Sequence, residues 1–497
     1  MSEELSELLK VRREKLDKLK EKGINPFAYK FDRTHFSTEI IDSYKDLAEG
    51  SISDCEVAAA GRIMTKRGHG KASFANIMDD SGKIQIYCRQ DVLGDDKYDI
   101  YTHLDMGDFI GVKGKVFKTK TGEVTIRVTD FEVLTKSLHP LPEKWHGLVD
   151  KELRYRERYV DLIVNKEVRD IFVKRSKIIA NIRNYLNDRG FLEVETPILH
   201  AQPGGAAAKP FKTYHNTLDM PLFMRIAPEL YLKRLLVGGF EKIYELGRSF
   251  RNEGMSFKHN PEYTMLEIYQ AYIDYEDVMT LCEEIIVTAA KEILGTLQIE
   301  FDGKTIDLTP PWKRIKIVDA IKHYSGLDIT LDDTATKKFA EHHGIEGASD
   351  LPIGKVINLI YDKFVEPNLV QPTFIVDYPI ETSPLAKKKR DNPKLVERFE
   401  LIISGMEIAN AFSELNDPID QRARFEQQLA AKKAGDDETE SMDEDFLLAL
   451  EYGMPPAGGL GIGIDRLVMI LTNSSSIRDV ILFPQMRPVV TENKNEG

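Results

Sequence analysis

Apolar and polar positions alternate most clearly in one stretch of the chain, residues 242–272. The segment KIYELGRSF has the β-branched and aromatic residues and the period of two that are typical of a strand, and YTMLEIYQAY repeats that pattern. Between the two segments, NEGMSFKHNP supplies the Gly, Asn and Pro of a turn. The pattern predicts an antiparallel hairpin. One face of its second strand carries alternate residues, namely Tyr263, Met265, Glu267, Tyr269 and Ala271.

Short β segments at regular spacing follow one another from Cys55 to about Leu134. Turn signals separate five of them, and five strands in such a short span predict a small closed or partly closed barrel. Phe74 lies on one of these strands. Two interpretations stay open for it: an exposed platform on which a nucleic-acid base stacks, or a part of the barrel core.

A leucine stripe predicts a helix from about residue 3 to residue 22. Basic residues are expected on the remaining surface of this helix, either as a solvated face or as a contact with an RNA backbone. They are Lys10, Arg12, Arg13, Lys15, Lys18, Lys20 and Lys22.

The middle of the chain predicts a long amphipathic helix that ends at Gly190, followed by a strand that Pro197 interrupts. A loop of small residues comes next, where backbone can approach a ligand closely. The segment PLFMRIAPELYLKRLLVGG then predicts a strand, a turn and a helix with Glu229 at its start, a position that the helix dipole alone explains. For residues 275–380 we expect an insertion or a scaffold without catalytic residues.

Two later stretches complete the pattern. RFELIISGMEIANAFSEL predicts two strands around a turn at Ser404-Gly405, and either this turn or a bulge must bring Glu400 and Glu407 to one face. GMPPAGGLGIGIDRLVMIL predicts a glycine-rich strand that leads into an apolar helix with Arg466 in its first turn.

Composition narrows the class of protein only slightly. The chain has 497 residues, enough for about three domains, and a formal net charge of −13, which does not exclude a local surface for nucleic acid. Its three cysteines form no CxxC pair, so neither a disulfide framework nor a structural zinc site is expected. No segment approaches the length of a bilayer span, and we expect no membrane partner and a cytoplasmic location.

The charged residues of these stretches suggest nucleotidyl transfer. Arg251 and Arg466 are planar forks suited to phosphate oxygens, and His259 suits a polyphosphate tail. Glu400 and Glu407 are hard oxygen ligands suited to Mg²⁺. Because no nucleophile triad and no Walker-type loop is present in the sequence, the expected chemistry depends on positioning and charge neutralisation.

Taken together, FLEVETPIL, GRSFRNEG…HNPEYTMLE and GLGIGIDRLVMIL resemble the three ordered motifs of class II aminoacyl-tRNA synthetases. The segments APELYLKR and ANAFSELNDP are similar in particular to the bacterial-type lysyl-tRNA synthetases. The resemblance implies an α+β fold, with an N-terminal OB-type β-barrel before an antiparallel catalytic sheet flanked by helices. It also implies a homodimer, with tRNA(Lys), L-lysine and ATP as partners and more than one Mg²⁺ ion in each active site.

Site residues follow from the same resemblance. It implies that Arg251 and Arg466 are catalytic. It implies that ATP is bound by Arg251, Glu253, His259, Asn260, Tyr263, Glu400 and Arg466. Glu400 and Glu407 would hold the metal. Lysine would be bound by Gly205, Glu229, Glu267, Tyr269, Asn410, Phe412 and Glu414. An anticodon base would be read by Phe74, Gln85 and Glu123.

The expected organisation is a basic helical extension, an anticodon-binding barrel, a connector, a catalytic domain and a short tail, at 1–54, 55–138, 139–165, 166–490 and 491–497. Glutamates at 267 and 414 favour an ε-ammonium group over the carboxylate of aspartate. Three alternatives stay open: an aspartyl- or asparaginyl-type synthetase, a ligase that modifies a protein, and an RNA-binding protein without catalysis.

Overall fold

The computed structural model describes residues 3–142, 148–205, 208–329, 333–433 and 442–489. The predicted C-terminal tail and Ala206 of the small-residue loop lie outside these ranges. The chain divides into two compact units, residues 1–149 and 150–497. Among the helices of the described ranges, none combines the length and the apolar character needed to cross a membrane.

The first unit is a five-stranded barrel with helices around it, and it confirms the predicted barrel. The strands are closed in the order β1-β2-β3-β5-β4. Its elements are α1 Glu3–Glu21, α2 Ser37–Tyr44, β1 Ile52–His69, β2 Ala72–Met78, β3 Lys83–Arg89, α3 Gln90–Leu93, α4 Asp95–Thr102, β4 Phe109–Lys118 and β5 Val124–Thr135.

Helix α1 packs against this barrel through Leu19, which joins the barrel's hydrophobic core. The prediction that every basic residue of the helix lies on its surface is wrong for Arg12, which is only 8% exposed. Its guanidinium donates to the carbonyl oxygens of Ser137 (3.0 Å) and Met106 (2.9 Å). The reason is physical: a long planar fork can satisfy free carbonyls beneath the helix while its stem stays in apolar contact.

The second unit is built around an eight-stranded sheet with the order β14-β15-β16-β17-β18-β11-β10-β6. The strands of the whole unit, which also form a two-stranded sheet (β12-β13) and a three-stranded sheet (β7-β9-β8), are β6 Leu192–Glu193, β7 Leu199–His200, β8 Lys212–His215, β9 Met220–Met224, β10 Lys242–Phe250, β11 Glu262–Ala271, β12 Gln298–Phe301, β13 Lys304–Asp307, β14 Lys313–Lys316, β15 Thr373–Val376, β16 Arg398–Ile403, β17 Met406–Ser413 and β18 Ala457–Gly463. All neighbouring pairs in the large sheet are antiparallel except β14 with β15 and β10 with β6.

Helices surround this sheet. They are α5 Lys151–Arg156, α6 Arg158–Val164, α7 Lys166–Asp188, α8 Glu229–Val237, α9 Tyr275–Leu294, α10 Ile317–Ser325, α11 Asp333–His342, α12 Ile353–Phe364, α13 Pro418–Lys433, α14 Glu444–Glu451, α15 Ile464–Thr472 and α16 Ile477–Val480, with 3₁₀ turns at Glu366–Asn368 and Ile380–Thr382. The predicted hairpin corresponds to β10 and β11, and the glycine-rich strand corresponds to β18.

One face of the large sheet is apolar and packs against α7, α9 and α15. Leu266 and Ile268 of β11 and Leu460 and Ile462 of β18 belong to this core. Since side chains alternate along a strand, the intervening residues of β11 and β18 point to the opposite face. The polar residues of the predicted motifs therefore gather on that second face.

The segment 275–380 is not only an insertion, as the sequence had led us to expect. Strands β14 and β15 lie within it, and both belong to the eight-stranded sheet. β14 pairs in parallel with β15, which itself pairs with β16. A parallel edge pair needs a long crossover connection, and here α10, α11 and α12 provide it.

Candidate active site

A single cavity on the polar face of the sheet collects nearly all of the predicted catalytic-unit residues. It has about 1120 Å³ of empty space, part of it open to solvent. The predicted residues that line it are Gly205, Glu229, Arg251, Glu253, His259, Asn260, Tyr263, Glu267, Tyr269, Glu407, Asn410, Phe412, Glu414 and Arg466. Glu400 lies outside this lining, next to Arg398.

Strand register sets the floor of the cavity. Gly461 of β18 lies between Glu267 of β11 and Asn410 of β17, and Gly459 occupies the same middle position one row further along the strands. The row of Gly459 is flanked by Tyr269 and Phe412. Because glycine has no side chain, the polar groups on both sides face open space above β18.

One end of the cavity is acidic. Glu229, Glu267 and Glu414 line it, and all three are buried. Burial and the negative charge of Glu229 raise the pKa of Glu267 to about 8, although Tyr269 Oη donates to Glu267 (3.1 Å). Burial also raises the pKa of Glu414 to about 8. A cation that binds beside a buried carboxyl with a raised pKa stabilises its ionised form, so such groups are candidates for binding a cationic ligand.

The sequence analysis did not identify Lys233, which lies behind this acidic end. Its side chain is fully buried, with Nζ 2.6 Å from Oε1 of Glu229, and it also pairs with Glu414. Burial lowers its pKa, but the two carboxylates together hold the pKa above the ordinary value. The spacing of four residues between Glu229 and Lys233 on a predicted helix was a signal for an ion pair.

The opposite end of the cavity is cationic. Burial, together with the nearby charges of Arg466, Lys258 and Arg251, lowers the pKa of His259 to about 4, so its imidazole is neutral at pH 7. Its Nδ1 lies 2.8 Å from the hydroxyl of Ser256. A neutral imidazole among three cations can donate to an anion without adding a further charge.

Arg251 is the least satisfied of these cations. Its Nε is buried and has no hydrogen-bond partner within the described part of the chain, and its guanidinium lies 5.4 Å from the ring centre of Tyr263. A buried guanidinium N–H without a partner is costly unless a ligand accepts it. Arg466, by contrast, donates to the backbone oxygen of Glu407 (2.7 Å) and pairs with its carboxylate (3.3 Å).

A bulge, one of the two predicted alternatives, brings Glu400 and Glu407 to one side. The register of β16 and β17 shifts after Leu401, so that Glu400 pairs with Asn410 while Ile402 pairs with Glu407. Burial raises the pKa of Glu400 to about 7, and the negative charge of Glu407 adds to the rise.

Partners on the protein hold the Glu400 carboxylate in place. Arg398 lies 2.5 Å from it and Tyr378 donates to it at 2.9 Å. Among the described residues, no three His, Cys, Asp or Glu side chains form a metal-binding group. The two carboxylates still fit Mg²⁺, which takes one or two protein carboxylates together with substrate phosphates.

The segment 275–380, which we expected to be an insertion or a scaffold without catalytic residues, contacts the wall of the site. Glu366 pairs with Lys258 of the cavity wall at 2.7 Å. Burial and Glu366 raise the pKa of Asp362 to about 6, and Glu407 contributes to this rise. The sequence did not indicate these residues, because no periodicity shows that α12 and the 3₁₀ turn after it lie next to a distant hairpin loop.

A second group that the sequence did not identify fixes Arg466. Asp465 precedes it at the start of α15, accepts the backbone N–H of Thr264 (2.7 Å) and pairs with Arg175 of α7 (2.6 Å). Arg175 also donates to the hydroxyl of Thr264 (3.0 Å). The first turn of α15 is thereby fastened to β11 and α7, so its arginine projects from a rigid element.

The three predicted anticodon residues lie in the barrel unit. Phe74 is 37% exposed and stacks on Tyr87, with ring centres 4.3 Å apart, so it is not core. On the neighbouring strand, Gln85 donates to the carboxylate of Glu123 (2.8 Å) and accepts from the hydroxyl of Thr125 (2.9 Å). An exposed aromatic ring beside an amide and a carboxylate suits the stacking and edge recognition of an unpaired base.

Comparison with known proteins agrees with this geometry. Residues 150–487 match a family described as tRNA synthetases class II (D, K and N), and residues 57–134 match an OB-fold nucleic acid binding domain. The chain is similar to lysine–tRNA ligases. It is 59% identical to that of Carboxydothermus hydrogenoformans over 98% of this chain and 99% of the relative, and 56% identical to that of Bacillus subtilis over 98% of each.

The glycine floor generates a testable prediction. A Cβ at position 459 would overlap Oε1 of Glu414 and lie 2.7 Å from Cε1 of Tyr269, whereas a Cβ at 461 would meet nothing closer than 3.6 Å. We therefore expect Gly459→Ala to weaken the binding of L-lysine, measured by calorimetry, by about tenfold to a hundredfold. Gly461→Ala is the matched control and keeps most of the affinity; equal losses in the two variants would contradict this account of the floor.

Proposed function

The chain belongs to the lysine–tRNA ligases of class II, and we propose on that premise that it activates L-lysine with ATP and transfers the lysyl group to the 3′ end of tRNA(Lys). AMP and pyrophosphate are the other products. The observation that carries the proposal is the polarity of one cavity: buried carboxylates lie at one end, and at the other lies a guanidinium whose Nε has no hydrogen-bond partner among the described residues. A diammonium amino acid and a triphosphate supply the complementary charges.

In the first step the carboxylate of lysine attacks the α-phosphorus of ATP. A P–O bond forms as the bond to pyrophosphate breaks, and the product is the lysyl-adenylate. Arg251 stabilises the negative charge that develops on the α-phosphate, because its buried Nε has no hydrogen-bond partner among the described residues and its guanidinium lies 5.4 Å from the ring centre of Tyr263 in the cavity wall. Catalysis of this kind depends on positioning and electrostatics and needs no covalent bond to the protein.

ATP occupies the cationic end in this proposal. Tyr263 offers its ring to the adenine, and Arg466 and the neutral His259 face the phosphate tail, with Glu253 and Asn260 beside the nucleotide. Glu400 and Glu407 would hold Mg²⁺, more than one ion in the full site, and the metal neutralises phosphate charge. Arg466 then exchanges its partner Glu407 for phosphate oxygens, which keeps the guanidinium paired throughout.

In the second step the terminal adenosine of tRNA attacks the carbonyl carbon of the mixed anhydride. Its hydroxyl oxygen forms an ester bond with the lysyl group, AMP leaves with the electron pair of the broken bond, and the hydroxyl proton is released. Membership in class II favours the 3′-OH as the attacking group.

The acidic end selects lysine over related amino acids. Glu267 and Glu414, with the phenol of Tyr269, suit an ε-ammonium group, and Glu229 at the start of α8 suits the α-ammonium group. The carboxylate of aspartate would face buried carboxylates and be repelled, so an aspartyl-type activity is not favoured. A protein-modifying ligase is not favoured either, since the barrel is present. A protein without catalysis is not favoured, since it would be expected to lose charged residues of the ATP site, and Arg251, Glu400, Glu407 and Arg466 are all present.

Exchange of pyrophosphate with ATP tests the first step directly. With each of twenty amino acids in turn, we expect exchange to depend on L-lysine. Arg251→Ala should slow it by about 10²–10³-fold, equivalent to about 3–4 kcal/mol of transition-state stabilisation. The matched control is Arg248→Ala on the same hairpin, because the side chain of Arg248 is 41% exposed and its ion pair with Glu262 is long (3.6 Å). Normal exchange in Arg251→Ala would contradict the assigned role.

For tRNA recognition we propose that the Phe74 surface of the barrel binds an unpaired base of the anticodon. The support is the exposed ring on Tyr87, with Gln85 and Glu123 within reach of a base edge.

Phe74→Ala should lower kcat/KM for tRNA(Lys) by about tenfold, because one base–aromatic stack is worth about 1–3 kcal/mol. Lysine-dependent pyrophosphate exchange should stay unchanged. Tyr29→Ala, which removes a fully exposed aromatic side chain of the same unit, is the control. A loss of exchange, or an unchanged kcat/KM for tRNA, would count against this base-binding surface.

We also propose that the protein works as a homodimer in the cytoplasm, where its substrates ATP and tRNA occur. Strand β6 is the last strand of the large sheet, and Leu192 on this strand is exposed, as are Ile198 and Leu199 beyond it. An unpaired sheet edge next to exposed apolar side chains is a common subunit interface.

Light scattering tests the dimer. The wild-type protein should have twice the mass of the chain, and Ile198→Asp should shift it toward the monomer, because a buried charge without a partner opposes association. Leu448→Asp, which changes an equally exposed leucine on α14, should leave the mass unchanged. A monomeric wild-type protein at micromolar concentration would rule out the dimer.

A further inference from the structure

A lysine of the protein itself lies behind the acidic end of the cavity. Lys233 is in the second turn of α8, has no exposed surface and is absent from the cavity lining. Its Nζ donates to Oε1 of Glu229 at 2.6 Å, pairs with Oε2 of Glu414, and lies 5.2 Å from the ring centre of Phe412. The ammonium group therefore joins the helix that carries Glu229 to the strand end that carries Glu414.

We propose that Lys233 is a positioning residue for substrate recognition: it holds the carboxylates of Glu229 and Glu414 in place and balances their charge, so that they receive the two ammonium groups of lysine. This inference rests on the proposed function, activation of L-lysine. It goes further by giving a role in specificity to a side chain that the substrate does not touch.

A charge count supports this role. The acidic end holds three carboxylates, those of Glu229, Glu267 and Glu414, and Lys233 offsets one of them. The substrate brings an α-ammonium and an ε-ammonium group, and with both bound the charges sum to zero. Without Lys233, three buried carboxylates would face two ammonium groups, and one carboxylate would lack a partner or take up a proton.

Even with Lys233 in place, the negative charge of Glu414 is not fully compensated. Burial raises the pKa of Glu414 to about 8 even though Lys233 opposes the rise, and both oxygens of Glu414 lack a well-aligned hydrogen-bond donor among the described residues. The charged and titratable groups around Glu414 and its neighbour Glu267 come from α8, β10, β11 and the residues that follow β9 and β17. They are Glu229, Arg225, Glu245, Glu267, Tyr269 and Glu414.

Stability gives a weaker explanation for this cluster. A buried ion pair gains little over a well-packed apolar pair, because removal of the charges from water costs about as much as their attraction returns. A hydrophobic residue at 233 would serve the core around α8 at least as well. The carboxylates, however, lie where a cationic substrate needs them, and the buried ammonium is what makes two of them tolerable side by side.

The experiment is lysine-dependent pyrophosphate exchange with Lys233→Met, which keeps an unbranched side chain one atom shorter and removes its charge. At pH 7 we expect KM for lysine to rise by about tenfold or more, with kcat and KM for ATP nearly unchanged. KM should fall again as the pH is raised above 8, because the loss of Lys233 raises the pKa of Glu414 further. The reason is that a carboxyl whose pKa is raised is protonated below that pKa and binds a cation only after it has lost the proton.

Arg234→Met is the matched control. It removes the next cation on α8, which pairs with Asp443 (2.9 Å) and not with the cavity carboxylates. Arg234→Met should keep KM for lysine and its pH profile, whatever it does to thermal stability. A change of KM in Arg234→Met as large as that in Lys233→Met would contradict the proposal.

A double variant separates charge balance from a structural role. Lys233→Met with Glu414→Gln leaves two carboxylates for two ammonium groups, so its KM for lysine should be lower than that of either single variant. This comparison holds even if Lys233→Met alone does not fold, because the double variant can be set against Glu414→Gln. Losses that add, or an unchanged KM in Lys233→Met at pH 7, would overturn the role of Lys233.

The wild-type measurement keeps the two hypotheses apart. Absence of lysine-dependent exchange in the wild-type protein would reject the proposed function itself. Normal wild-type exchange, together with variants that do not respond as described, would reject only the role of Lys233.

Discussion

The register of three adjacent strands is the constraint on which the site depends. β18 runs between β11 and β17, and its glycines lie opposite the functional side chains of both neighbours. A slip of β18 by one residue would turn Leu460 and Ile462 toward the cavity, into the space between the side chains of β11 and β17. The apolar core beneath the sheet therefore fixes the chemistry above it, because the same alternation serves both faces.

On this frame the protein holds charges of equal sign close together at each end of the cavity. Three carboxylates share one end, and Arg251, Lys258 and Arg466 share the other, where the pKa of His259 is held at about 4. Such clusters destabilise the free protein, and they persist because the packing of the rest of the fold holds these side chains in place. A ligand of the opposite charge therefore binds favourably at each end, because it offsets the repulsion between the like charges that the fold holds together there.

Patterns of local sequence predicted much of this structure. The hairpin of β10 and β11, the barrel strands and the glycine strand followed from alternation and turn residues, and the need for a turn or a bulge between Glu400 and Glu407 followed from counting positions. Residues whose partners are distant in sequence could not be predicted in this way. Arg175 pairs with Asp465, Lys258 pairs with Glu366, and Arg12 donates to a carbonyl oxygen beneath its helix. No periodicity in the sequence indicates such contacts. Lys233 was the exception, since its spacing of four residues from Glu229 was visible, but the position of Glu229 was explained by the helix dipole and the pair was not considered.

The two units have separate hydrophobic interiors. The cluster inside the barrel draws on residues from Leu19 to Val133, whereas the clusters of the second unit begin at Ile178. Each unit thus has the means to unfold by its own transition, and one melting temperature would not describe the whole chain. Substitutions that alter the nucleic-acid surface of the barrel can accumulate without disturbing the packing that aligns the catalytic groups, which lets the two activities diverge at different rates.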